Sequence, residues 1–234
     1  MSFPAPIQSE ASDPHCVTPA QAAELLKGAP WKRMAVLGDS VAAGVSEAVE
    51  GYRDTPSVQR VAEALGAEHH DFAWRNFAVR NLRIAEIRTT QVAPVLDWNP
   101  DLILVSAGGN DAFRRSYSRD RMRQELGLLL DPFAALKVQI VTIGLFDLAR
   151  SGLVPELAEK GLAERFDDLD AVTRTVSAFY GGVHVENHTH PETANPDIFA
   201  SDRIHANARG HAIAAASLMK ALATAARRQK SPAH

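Results

Sequence analysis

The sequence has few of the features that mark secreted, disulfide-stabilised or membrane proteins. It contains a single cysteine, Cys16, so no disulfide can form within the chain. No run approaches the roughly 20 apolar residues that cross a bilayer. The first fifteen residues lack the apolar centre of a signal peptide. We therefore expect a cytoplasmic protein with no membrane span.

The sequence also lacks an excess of charge of either sign and the usual cofactor motifs. Its 25 basic and 28 acidic side chains leave a net charge of -3, which does not favour a nucleic-acid partner. Neither a phosphate-binding loop nor a dinucleotide glycine pattern is present, so we expect no cofactor. No zinc-ligand spacing occurs among the clustered histidines, and we expect no metal site. These histidines are His69, His70, His184, His188 and His190.

What is present indicates one large α/β domain. The chain has 234 residues, of which 46% are hydrophobic, enough for a substantial core. Apolar, strand-like runs alternate about five times with segments of helical periodicity, which predicts a three-layer α/β/α sandwich around a parallel sheet of roughly five strands. Thr18 and Pro19 predict the start of the first helix. We expect a flexible arm over residues 1–17 and a single domain over 18–230.

The most informative stretch follows the first predicted strand, over residues 34–37. This strand stops at Gly38, Asp39 and Ser40, and small residues come next. In open α/β sheets, functional sites lie at the carboxyl ends of the strands. A serine at such a sharp turn can present its hydroxyl to a ligand. The alternative is that Ser40 only caps the helix that follows.

Three further loops are expected at the same edge of the sheet. One contains Asn76, Ala78 and Asn81, another has the sequence GGND over residues 108–111, and the last runs from Asp202 to His205. A serine, a histidine and an acid are the components of nucleophilic acyl transfer. Asp202 and His205 are three residues apart, so the Asp202 side chain can orient the His205 ring. The alternative is a helix cap beside a surface histidine.

These four blocks, in this order, resemble the SGNH hydrolase superfamily, also called the GDSL esterases and lipases. The resemblance covers residues 34 to about 217 and implies a flavodoxin-like fold. It implies that Ser40 is the nucleophile, His205 the general base and Asp202 the residue that orients it. The implied oxyanion hole consists of the Ser40 backbone N–H, the Asn110 side chain and the backbone N–H at position 81.

Position 81 departs from the family pattern, which usually has glycine there. Asn81 still has a backbone N–H, and asparagine tolerates a positive φ better than most residues. The donor can therefore survive, although Asn81 could instead cap the next helix.

The resemblance implies a serine hydrolase that cleaves small-molecule carboxylic esters through an acyl-enzyme on Ser40. The alternatives are an acyltransferase that uses the same intermediate and a non-catalytic binding protein on the same fold. Apolar residues in the variable loops suit an acyl or aryl ester of modest size. The residues expected to line the pocket are Gly109, Phe113, Tyr117 and Phe146. The sequence does not predict an oligomeric state.

Overall fold

The computed structural model describes residues 9–230, which form a five-stranded sheet and nine α-helices. The strands are all parallel and lie in the order β2-β1-β3-β4-β5, the flavodoxin-like order. This confirms the predicted α/β class and strand number. The strand bounds are β1 Arg33–Gly38, β2 Ala73–Asn76, β3 Leu102–Ser106, β4 Gln139–Ile143 and β5 Val183–Val185.

The helices cover both faces of this sheet. Two short 3-10 helices, Leu148–Arg150 and Pro196–Ile198, interrupt the loops after β4 and β5. Among the described residues, no helix is both long and apolar enough to cross a membrane. The α-helices are α1 Pro19–Leu26, α2 Ser40–Ala43, α3 Ser57–Glu68, α4 Ile84–Trp98, α5 Gly109–Ala112, α6 Arg119–Ala135, α7 Pro155–Ala158, α8 Leu162–Phe179 and α9 Ala208–Lys230.

Two apolar cores explain why the central strands are continuous hydrophobic runs. All five residues of β3 are buried, because helices cover the sheet on either side. Leu102 and Leu104 point to the core formed with α1, α3 and α9. Ile103 and Val105 point to the core formed with α4, α6 and α8. The sheet is therefore the middle layer of a three-layer sandwich, with its carboxyl edge left free for loops.

The helix starts test the sequence predictions directly. Thr18 caps α1 as expected: its hydroxyl accepts from the Gln21 backbone N–H, and the Gln21 side chain accepts from the Thr18 N–H. Asn207 caps α9 by accepting from the Gly210 N–H at 3.1 Å. A helix start at Asn81, considered above as an alternative, is wrong. Asn81 has a φ of +67°, which is incompatible with a right-handed helix, and α4 begins at Ile84.

Residues 9–17 of the expected arm lie against the domain and are held there by specific contacts. Asp13 is buried and accepts hydrogen bonds from the Tyr52 hydroxyl at 2.8 Å and from Arg209 Nε at 2.9 Å. Glu10 pairs with Arg60, whose side chain is also buried. Charged partners far along the chain therefore hold this segment, which its proline-rich composition does not reveal. Residues 1–8 of the predicted arm lie outside the described residues.

Candidate active site

The turn after β1 places Ser40 at the carboxyl edge of the sheet. Gly38 has a φ of +144°, and a Cβ there would lie 2.0 Å from the Ser106 carbonyl oxygen. Only glycine allows β1 and β3 to approach this closely at the turn. The Gln91 side chain of α4 accepts from the Gly38 N–H at 2.8 Å and donates to the Gly38 carbonyl at 2.9 Å. These contacts fix the backbone immediately before the serine.

Ser40 is the first residue of α2 and does not cap that helix. The cap is Asp39, whose Oδ1 accepts from the Val41 N–H at 3.1 Å. The capping alternative for Ser40 is therefore wrong. Since Asp39 accepts the hydrogen bond from the free backbone N–H at the start of α2, the Ser40 hydroxyl is available to another partner.

That partner is His205, from the other end of the chain. Its Nε2 lies 2.8 Å from Ser40 Oγ, and its Nδ1 lies 2.6 Å from Asp202 Oδ2. A carboxylate can only accept, so Nδ1 carries the ring proton and Nε2 is left to accept the hydroxyl proton of Ser40. The arrangement can move a proton from the serine to the histidine, as activation of a serine nucleophile requires.

Asp202 is held in the orientation that this relay needs. Its Oδ1 accepts from the backbone N–H groups of Ile204 at 2.9 Å and His205 at 3.0 Å, while Oδ2 faces the imidazole. Partial burial opposes ionisation, but these three hydrogen bonds hold the pKa of Asp202 below its usual range. The carboxylate is therefore charged at neutral pH.

The loop around His205 is tied to the protein on both sides. The Ala200 N–H donates to the His205 carbonyl at 2.8 Å, and Phe199 and Ala206 form an isolated antiparallel bridge. The Asn207 side-chain amide donates to the Phe199 carbonyl at 3.0 Å. These contacts hold the end of a long irregular loop in place, and His205 extends its imidazole ring from that end.

The second and third loops add hydrogen-bond donors to the cavity that Ser40 borders. The backbone N–H groups of Ser40 and Asn81 donate no hydrogen bond within residues 9–230. Asn110, on α5, donates through Nδ2 to the Leu82 carbonyl at 3.0 Å, and the same nitrogen lies 3.4 Å from Asp39 Oδ2. Asn81 and Asn110 both border the cavity that contains Ser40. The capping alternative for Asn81 is wrong, because α4 is capped without it.

Asp39 is the most perturbed carboxyl at this edge. Burial raises the pKa of Asp39 to about 7; the charge of nearby Asp111 adds to the rise, and the Val41 N–H opposes it. Asp111 is itself engaged, because its Oδ2 accepts from the Ile84 N–H at 3.0 Å. Both acids thus organise backbone around the site, one at the start of α2 and the other at the start of α4.

A cavity of about 250 Å³ opens beside the Ser40 hydroxyl. Gly109, Phe113 and Phe146 line it, as the sequence analysis expected. Tyr117 does not: its hydroxyl donates to Asp168 at 2.8 Å, which turns the ring towards α8. The expectation for Tyr117 is therefore wrong. The other large apolar residues of the wall are Ile143, Leu145, Leu148, Leu157, Phe166, Phe199 and Ile204.

Comparison with family models identifies the family of this chain. The model of the GDSL-like lipase/acylhydrolase family matches residues 36–213. This chain belongs to that family. The matched region includes the Ser40 turn, both asparagine loops and the Asp202–His205 segment. A search of curated proteins found no match.

Solved structures share the fold of this GDSL-family chain. LAE5, an alpha/beta hydrolase enzyme from the metagenome of Lake Arreo in Spain, is 17% identical with a TM-score of 0.67 and covers 84% of this chain and 95% of its own. Axe2, an acetylxylan esterase from Geobacillus stearothermophilus, is 17% identical with a TM-score of 0.66 and covers 84% and 94%. Identities this low carry the likeness of fold and nothing finer.

Two clusters of acids and histidines lie beyond the GDSL-family blocks, and each contains an arginine. Asp147, Asp167 and His188 are close enough to share an ion. However, Arg150 pairs with both of those carboxylates at 2.5 Å. Asp170, His184 and Glu186 form the second cluster, where Arg174 likewise pairs with Asp170 and Glu186 at 2.5 Å. In each cluster a guanidinium group already supplies the positive charge that the carboxylates require.

Several residues of the site were not identified from the sequence. Gln91 lies in the middle of α4 and becomes significant only because it reaches the Gly38 backbone. His211 is buried; it accepts from the Ser57 N–H through Nδ1 and donates to the Val45 carbonyl through Nε2. Burial lowers the pKa of His211, so it stays neutral in this role. Ser106 and Asn187 also line the cavity.

Proposed function

We propose that this protein is a carboxylic ester hydrolase that works through an acyl-enzyme on Ser40. The observation that supports this most directly is a pair of linked hydrogen bonds. Ser40 Oγ lies 2.8 Å from His205 Nε2, and His205 Nδ1 lies 2.6 Å from Asp202 Oδ2. Membership of the GDSL-like lipase/acylhydrolase family supports the same reaction class.

In the first half-reaction, Ser40 Oγ bonds to the ester carbonyl carbon while its proton passes to His205 Nε2. Asp202 stabilises the imidazolium that forms. The carbonyl oxygen becomes an oxyanion, and the donors for it are the Ser40 N–H, the Asn81 N–H and the Asn110 side-chain amide. Asn110 exchanges its long contact of 3.4 Å with Asp39 for the oxyanion and keeps its hydrogen bond to the Leu82 carbonyl. The tetrahedral intermediate collapses when the carbon–oxygen bond to the alcohol breaks and His205 returns the proton to that leaving oxygen.

In the second half-reaction, water takes the place of the alcohol. His205 accepts a proton from the water, whose oxygen bonds to the acyl carbon. The intermediate then releases the carboxylic acid, and the proton returns to Ser40 Oγ. The same three donors serve both oxyanions, because the acyl carbon stays at one place throughout.

The cavity favours an acyl group larger than acetyl. An apolar cavity of about 150 Å³ holds benzene, and the cavity beside Ser40 measures about 250 Å³. Phe113 and Phe166 meet edge to face in its wall, with ring centres 5.7 Å apart. Burial of apolar carbon contributes about 0.8 kcal/mol per methylene, so such a space selects medium-length or aromatic acyl groups.

The test combines a serine-directed probe with a chain-length series. A fluorophosphonate should label the wild type and Ser201→Ala but leave Ser40→Ala unlabelled; Ser201 is an exposed serine on the loop that carries His205. With p-nitrophenyl esters, turnover should rise from acetate towards medium chains and disappear in Ser40→Ala. Labelling of Ser40→Ala, or full turnover by that variant, would contradict the proposed nucleophile.

A further inference from the structure

The three proposed oxyanion donors lie on three separate loops. Ser40 follows β1, Asn81 follows β2 and Asn110 follows β3. All three have to reach one oxygen atom, and a displacement of about 1 Å at a reacting centre can cost about 10²-fold in rate. The contacts that hold these loops relative to one another are therefore part of what the reaction requires.

Gly38 is the residue at which the first two loops meet. Its carbonyl accepts from the Val79 N–H at 3.1 Å, two residues before Asn81. Gly38 has a φ of +144° and no side chain to restrain it. The next N–H, that of Asp39, reaches the Ser106 carbonyl only at 3.3 Å. The backbone just before the nucleophile therefore depends on a partner from another element.

That partner is Gln91, a side chain in the middle of α4 that is 3% exposed. Its Oε1 accepts from the Gly38 N–H at 2.8 Å, and its Nε2 donates to the Gly38 carbonyl at 2.9 Å. The other buried residues of α4 are Ile84, Ile87 and Val95. A buried amide among apolar neighbours is stable only when it is paired, so Gln91 and the Gly38 backbone hold each other in one geometry.

The same helix is tied to the third loop. At the start of α4, the Ile84 N–H donates to Asp111 Oδ2 at 3.0 Å. Just before the helix, the Leu82 carbonyl accepts from Asn110 Nδ2 at 3.0 Å. Through Gln91 and its first turn, α4 therefore contacts the loops that follow β1 and β3, and the Gly38 carbonyl adds the loop that follows β2.

From these contacts, we infer that Gln91 is a positioning residue of the oxyanion hole. Its amide holds the Gly38 backbone so that the N–H groups of Ser40 and Asn81 reach the same oxygen atom. The inference rests on the proposed hydrolase function and adds a residue to it. Gln91 lies outside the wall of the cavity, so it touches no substrate atom and acts through the backbone alone.

The first test removes both hydrogen bonds and keeps the length of the side chain. In Gln91→Met, kcat for p-nitrophenyl esters should fall by about 10²-fold while KM stays within about threefold of wild type. Rates are expressed per active site, counted by fluorophosphonate labelling at its end point. Unfolded protein is then left out, so a loss of stability alone does not change the result.

Asp101→Leu is the matched control. The Asp101 carboxylate accepts from the backbone N–H groups of Lys32 at 2.8 Å and Arg33 at 2.9 Å, at the opposite end of β1 from Gly38. This variant therefore removes two backbone hydrogen bonds from the same strand, but far from the oxyanion donors. Its kcat per active site should stay within about threefold of wild type.

Gln91→Glu tests the same contact in a second way. A protonated carboxyl both donates and accepts, as the amide does, whereas a carboxylate only accepts and repels the Gly38 carbonyl. The ratio of variant kcat to wild-type kcat should therefore be near one at pH 5 and fall by about tenfold or more towards pH 9. His205 and Asp39 titrate in both proteins, so the ratio removes their contribution.

An unchanged kcat in Gln91→Met, an equal loss in Asp101→Leu, or a ratio for Gln91→Glu that does not depend on pH would overturn the inference. Failure of the wild type to hydrolyse any ester would instead count against the proposed function. Amide hydrogen exchange over residues 37–42 keeps the two apart, because it needs no substrate. Exchange there should be faster in Gln91→Met than in wild type or Asp101→Leu, and equal exchange in all three would also overturn the inference.

Discussion

Replacement of Asn81 by glycine separates the backbone role of this position from a role for its side chain. The structure gives Asn81 a φ of +67°, and its N–H is one of the proposed oxyanion donors. Glycine keeps that N–H and reaches the same φ freely. We therefore expect kcat of Asn81→Gly to stay within about threefold of wild type or to rise, because loss of an oxyanion donor costs about 10²- to 10³-fold and no donor is lost.

The effect on stability should also be small, because two contributions oppose each other. Left-handed backbone costs an ordinary residue about 1–2 kcal/mol, and less for asparagine, so glycine relieves part of that cost. Glycine also gives the unfolded chain more freedom, which destabilises the fold by about 0.4–1 kcal/mol. The free energy of unfolding should then change by no more than about 1 kcal/mol.

Asn99→Gly provides the matched control. Asn99 has a φ of +54° at the end of α4 and does not border the cavity. Urea unfolding of both variants measures the shared backbone effect, and p-nitrophenyl ester kinetics measure what is specific to position 81. A loss of tenfold or more in kcat for Asn81→Gly, with Asn99→Gly unaffected and both folds intact, would refute the reasoning and assign the Asn81 side chain a part in the reaction.

Three further predictions concern an oxyanion donor, a buried carboxyl beside the nucleophile and a buried ion pair. Asn110→Ala should lower kcat/KM by about 10²- to 10³-fold in ester kinetics with little change in Tm. Burial raises the pKa of Asp39 to about 7 from 3.8, so the folded chain keeps a proton that the unfolded chain loses, and stability falls as pH rises through this window. The Tm of Asp39→Asn relative to wild type should accordingly be higher at pH 8 than at pH 5; an equal difference at both values would contradict this. Arg209→Met should cost about 3–5 kcal/mol in urea unfolding, since it strands the buried Asp13 carboxylate. Lys32→Met, which breaks an exposed pair with Asp71, should destabilise the protein far less in the same assay.

Local sequence chemistry was sufficient to predict the strands, most caps and the four loops at the sheet edge. A run such as residues 102–106 has to be buried on both faces, and Thr18 before Pro19 has one common structural use. The error at Asn81 arose where two local rules compete, because asparagine suits both a helix cap and a left-handed turn. The turn prevailed because Asp111, from a distant loop, binds the backbone N–H that opens α4.

The sequence by itself determined the chemical types at this site: a serine after a strand, an acid three residues before a histidine, and asparagines in two loops. Only the tertiary structure decided which of their atoms meet. The serine and histidine are 165 positions apart and come together at 2.8 Å because parallel strands bring their loops to one edge. The same packing decided that Asp13 is buried, that Tyr117 turns away from the cavity, and that Ser106 and Asn187 border it. No local pattern encodes these outcomes, because each depends on a neighbour distant in sequence.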